Sequence, residues 1–82
     1  MNRYPASIDL ERLGRLAEQL ADKAIPVLKE QGRAELHISP ESMKAFAGNI
    51  PVMLEEVLER RGLSANSRIW TGAGHSGVIS IT

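Results

Sequence analysis

Eighty-two residues with ten Lys+Arg, ten Asp+Glu, no cysteine and 43% hydrophobic content fit one small domain, residues 1–82. Zero formal net charge and a pI near 6.7 argue against a charge-driven grip on nucleic acid or on an anionic membrane. Without cysteine there is no disulfide framework, thiolate zinc site or cysteine nucleophile, so the core or self-association must supply the stability.

Met1 to Ser7 lack a basic start followed by an apolar core, and no apolar run reaches membrane-spanning length; the expected residence is cytoplasmic, with no membrane partner. Ser7 reads as an N-cap, with Asp9 and Glu11 in the first turn of a helix over about 8–31. Leu10, Leu13, Ala17, Leu20, Ala24 and Val27 step by three and four, and Leu16, Ala21, Ile25 and Leu28 widen the stripe beyond that of a simple surface helix. The first six are therefore candidate self-association residues, because a dimer joined there would enlarge a small core. Pro26 cannot donate to the Asp22 carbonyl and is expected to kink the helix before Gly32 ends it.

Residues 33–39, Arg-Ala-Glu-Leu-His-Ile-Ser, alternate as a half-buried strand does, with Ala34, Leu36 and Ile38 facing the core. Ser39-Pro40-Glu41 then supplies an N-cap, a proline at the first helical position and an early carboxylate. The helix it opens spans about 40–61, is broken near 48–51 by Gly48-Asn49-Ile50-Pro51, and ends at Arg60-Arg61-Gly62. Ile25-Pro26-Val27-Leu28 and Ile50-Pro51-Val52-Met53 match over four positions, too short to establish a repeat.

From Ser64 onward Arg68 is the only charged side chain, and glycines separate two β-rich runs, which predicts a hairpin over about 67–82. Ile69, Ile79 and Ile81 should pack inward; Trp70, Val78, Ser80 and Thr82 should face out. The expected fold is α+β in α-β-α-β-β order: a three-stranded, mainly antiparallel sheet with two Pro-kinked helices on one face. The last strand, ending at Thr82, is expected to offer a free edge for strand pairing.

Gly72-Ala73-Gly74-His75-Ser76-Gly77 is a literal G-x-G-x-x-G, but a dinucleotide fingerprint needs a helix after it, and here Val78-Ile79-Ser80-Ile81 reads as strand. The flanking strands resemble the glycine-rich loop of protein kinases, without room for the rest of that fold. A hairpin turn is the simplest reading; a phosphate cradle built from Gly72, Gly74, His75, Ser76 and Gly77 is the sharper one. His37 and His75 have no partner at metal-ligand spacing, and Ser76 beside His75 has no identifiable orienting acid, so no cofactor, metal or catalytic residue is assigned. Glu55, Glu56 and Glu59 form an acidic stretch that reads as solvated helix face or acidic docking surface.

Trp70 is the only tryptophan, and alternation turns it away from the core beside Val78; with the register shifted it would instead point inward as the core's aromatic anchor. An outward aromatic beside an apolar neighbour reads as a contact for another protein, with Arg68 and His37 flanking it. The expected function is non-enzymatic: a regulator, inhibitor or assembly factor acting by protein contact, self-associating as a homodimer, and equally at home in a host, a virus or a mobile element. One alternative is the small phosphate- or nucleotide-binding protein implied by the loop. Another starts at residues 34–41, where a strand runs into a Pro-Glu helix start in a way that resembles ribbon-helix-helix repressors. That resemblance implies base reading by outward strand residues, here Arg33, Glu35 and His37.

Overall fold

The computed structural model describes Tyr4 and residues 7–82. Three helices and a three-stranded antiparallel sheet make an α+β fold. In chain order these are α1 (Leu10–Gln31), β1 (Ala34–Ile38), α2 (Pro40–Phe46), α3 (Asn49–Arg60), β2 (Ser67–Thr71), a 3-10 turn (Ala73–His75) and β3 (Gly77–Ile81).

α1 begins two residues later than its first Ser would place it. Asp9, extended at φ −84° and ψ 94°, caps it by accepting the Arg12 N–H at 3.1 Å; Ser7 lies outside the helix. A carboxylate here meets both the unpaired N–H groups and the positive end of the dipole. The helix runs as one element through Pro26, with Pro26 and Asp22 both on its exposed side. The freed Asp22 carbonyl is thus on the solvent side of the helix, where loss of an internal partner costs least.

The break in the second helical segment falls at Ala47–Gly48, meeting the expected 48–51 at Gly48, and divides the segment into two helices. Ser39 caps α2 by accepting the Ser42 N–H at 3.2 Å, with Pro40 at the first helical position. Ala47 turns the chain at φ 36°, ψ −116°, a conformation an L-residue adopts only under constraint. Pro51 interrupts nothing, because it sits in the first turn of α3, where backbone N–H groups have no intrahelical acceptor. The two Ile-Pro-Val segments therefore do different jobs: Pro26 lies late in one helix and Pro51 opens another. α3 closes with the Leu63 N–H on the Leu58 carbonyl at 2.9 Å and the Gly62 N–H on the Glu59 carbonyl at 3.0 Å, Gly62 taking φ 84°. That paired closure requires a left-handed residue, and glycine supplies it without a Cβ clash.

The sheet order is β1-β3-β2, with both pairings antiparallel. β3 is thus the central strand, hydrogen-bonded on both sides, and the free edge expected at the last strand belongs instead to β1 and β2. The physical reason is coverage: β3 carries Ile79 and Ile81, both fully buried, and a central position buries them best. Ala34, Ile38, Ile79 and Ile81 pack with Leu13, Ala17, Leu20, Ala21, Ala24, Phe46, Ile50, Met53, Leu54, Val57 and Leu58 into one core. α1 covers β1, α3 covers β2, and α2 packs at the hairpin end, so the helices share one side of the sheet. Two arginines tie the helical layer together. The Arg12 guanidinium lies 5.7 Å from the Phe46 ring centroid, joining α1 to α2. Arg61, just past α3, ion-pairs with Glu18 and with Asp22 at 2.7 Å on α1, and these carboxylates hold its guanidinium pKa above the ordinary value.

Candidate protein-contact face

Burial alternates along β1 and β3 and, as far as Trp70, along β2, and the pairing register aligns the outward positions into rows. His37 lies opposite Val78 and Val78 opposite Trp70; one row along, Glu35 lies opposite Ser80 and Ser80 opposite Arg68. Glu35, His37, Arg68 and Trp70 are exposed, Val78 and Ser80 half-buried between them, and Trp70 keeps 47% of its surface in water. The indole therefore faces away from the core, as the alternation requires, although burying it would have been the cheaper use of a sole tryptophan. Among the described residues no helix packs on this side. The result is a small platform: a row in which the His37 and Trp70 rings flank Val78, beside a polar row in which an acid and a base flank Ser80.

The candidate self-association stripe has a different fate. Leu13, Ala17, Leu20 and Ala24 are at most 5% exposed inside the chain's own core, so they are not available to a second copy. Val27 is partly buried against the same core, and Leu10 alone is left well exposed, at 42%. The broad stripe on α1 is wide because the helix is covered from two directions, by α3 and by the sheet, and not because it meets another chain.

The glycine-rich connection closes on itself. The Gly72 N–H donates to the Ser76 carbonyl at 2.7 Å and the Ser76 hydroxyl donates to the Ala73 carbonyl at 2.8 Å, which commits two of the donors a phosphate cradle would use. Gly74 and His75 take positive φ, 69° and 63°, to reverse the chain. Gly77 is not a loop residue; it lies buried in β3, paired with Ile38 and Thr71. A Cβ there would stand 2.8 Å from Met43 Cγ and 2.9 Å from Met43 Cε, so the glycine is the space that α2 needs to seat Met43 on the sheet. Between α2 and the turn lies an open groove of about 500 Å³, lined by Pro40, Glu41, Met43, Lys44, Ala47, Thr71 and His75.

The acidic stretch is also partly absorbed by the fold. Glu55 accepts from the Ser67 N–H at 3.0 Å and the Ser67 hydroxyl at 2.7 Å, and Glu56 accepts from the Tyr4 hydroxyl at 3.3 Å. Glu55 thereby covers the start of the exposed β2 edge. Among the described residues no three His, Cys, Asp or Glu side chains form a group that could hold a metal ion, and no helix is long and apolar enough to cross a membrane. The strand before the Pro40 helix start pairs with β3 of its own chain, so Glu35 and His37 stand on a sheet face and not on a ribbon shared between two chains.

The row formed by Glu35, Ser80 and Arg68 was hidden from sequence reasoning, because alternation gives faces but only the register aligns one strand with the next. The Met43–Gly77 fit was equally hidden: Gly77 closes a glycine-rich string and reads as turn. Comparison with known proteins returns no matching family model, no matching curated protein and no matching solved structure.

Proposed function

We propose that this chain is a small, non-enzymatic, cytoplasmic protein-contact module, a regulator, inhibitor or assembly factor, whose working surface is the uncovered sheet face centred on Trp70. The observation that carries the reading is the placement of the sole tryptophan, 47% exposed, in register with Val78 and His37 on the side away from the helices. A large aromatic held on a rigid strand loses little side-chain freedom on contact, which is why such residues dominate interface energies. Two further features support contact over chemistry. The turn's Ser76 hydroxyl is spent on the Ala73 carbonyl, and Glu55 is spent on Ser67.

The test is site-specific photocrosslinking in cells that make the protein. A probe at Val78 should give discrete protein adducts that vanish in Trp70→Ser, while the same probe at Gln19 on the exposed side of α1 should give none. Equal labelling from both positions, or adducts indifferent to Trp70→Ser, would move the working surface elsewhere.

A further inference from the structure

We infer that the partner of this face is a second copy of the chain, related by a two-fold axis that runs along β3. The inference rests on reading the face as a protein contact, and it adds the occupant. Its basis is the register. Because β3 is central, a two-fold lying in the interface along β3 sets β3 over its own copy and exchanges β1 with β2. Every residue of β1 then faces the residue of β2 that shares its row. Glu35 stands over Arg68 of the second copy and Arg68 over Glu35, since both are paired with Ser80. His37 stands over the second copy's Trp70, and Val78 meets Val78, since those three share the neighbouring row. One operation thus matches both opposite-charge pairs, stacks imidazole on indole twice, and places the apolar residue on itself at the centre, as an isologous interface demands.

The other in-plane choice, an axis across the strands, is poorer. It would set Val78 on Ser80 and leave neither Glu35 nor Arg68 facing an opposite full charge. Sheets packed face to face keep their strands within about 30° of each other, so the axis along β3 also suits ordinary sheet packing. The charge pattern on this face carries special weight because the hairpin half of the chain is otherwise uncharged: Arg68 is the only charged side chain after Gly62.

The platform is small. Three strands about 4.8 Å apart and about 17 Å long fall well short of the ~800 Å² per partner of a standard interface, so the dimer is a weak, transient one. Sedimentation velocity of the full chain up to ~1 mM, with Glu35→Arg and Arg68→Glu made singly and then mixed, tests it. Each single variant places like charges over each other twice and should weaken dimerisation by at least ~10-fold. An equimolar mixture of the two restores both opposite-charge pairs in the heterodimer and should return to within ~3-fold of the unmodified chain. Recovery on mixing also shows that both variants fold, and an effect confined within one chain could not produce it. A chain that stays monomeric at ~1 mM, single variants that dimerise normally, or a mixture no better than its components overturns the inference. If the chain is monomeric while the Val78 probe still captures a different protein in a Trp70-dependent way, the face reading survives and the second copy falls; if the probe captures nothing, both fall.

Discussion

Gly77 should not tolerate a methyl group unless Met43 gives way. Its φ is ordinary, so the backbone admits alanine, and on chain entropy alone Gly→Ala in a strand gains about 0.5–1 kcal/mol. The steric term has the opposite sign. The new Cβ would lie 2.8 and 2.9 Å from Met43 Cγ and Cε, and nearer still to Sδ, well inside ordinary contact. Overpacking of this kind costs about 1–3 kcal/mol, and the unbranched thioether of Met43 puts the cost near the lower end because it can change rotamer. With a steric cost of about 1–2 kcal/mol set against that gain, the balance for Gly77→Ala is a loss of up to about 1.5 kcal/mol. In a Met43→Ala background the clash is gone and only the entropic gain remains, so the same substitution should become neutral or stabilising. The coupling between the two sites is then about 1 kcal/mol or more, beyond the few tenths within which independent sites add. Urea denaturation followed by far-UV circular dichroism on the wild type, both single variants and the double variant closes the cycle. Additive effects would refute the reasoning and detach α2 from the sheet at this point.

Trp70→Ser should lower stability by no more than about 1 kcal/mol, the scale of a cross-strand pair with Val78, as read from a urea midpoint; a loss above ~2 kcal/mol would mean that the indole is packed. Leu54→Ala removes a side chain with no solvent exposure and should cost about 2–5 kcal/mol, a large share of the total for a domain this small, detected as loss of cooperative thermal unfolding. Asp9→Ala should cost about 1 kcal/mol while Ser7→Ala is silent in the same thermal melts; the reverse order would restore Ser7 as the cap.

Much of the fold is legible in the sequence, and the parts that are not share a cause. Strand alternation is a local property, fixed by a two-residue period, and it assigned Ala34, Leu36, Ile38, Ile69, Ile79 and Ile81 inward and Trp70 outward as found. Ser39 as the α2 cap is local too, because Pro40 at the first helical position leaves it no other role. Ser7 failed because Asp9, two residues on, offers the same capping oxygen with a full negative charge, and local chemistry alone does not rank the two. The α1 stripe failed for a non-local reason: Leu13 and Ala17 look alike whether α3 or a second chain covers them.

The same distinction governs the candidate site. That Trp70, Val78 and His37 face outward follows from each strand separately; that they form one row, with Glu35 and Arg68 flanking Ser80 in the next, depends on which strand lies in the middle. Chain order places β1 first and the hairpin last, which leaves both β1-β3-β2 and β1-β2-β3 open, and only the first puts β3 between them. In the second order Arg68 would be the central residue of its row with Glu35 beside it, the two charges would neutralise each other within one chain, and the face would have no reason to seek its own copy. With Ser80 between them, Glu35 and Arg68 stand two strands apart, about 10 Å at the backbone, and among the described residues no ion pair joins them. The face therefore keeps its charges separated and antisymmetric about β3, a pattern satisfied from outside by a surface carrying the opposite arrangement, and a second copy turned about β3 carries it.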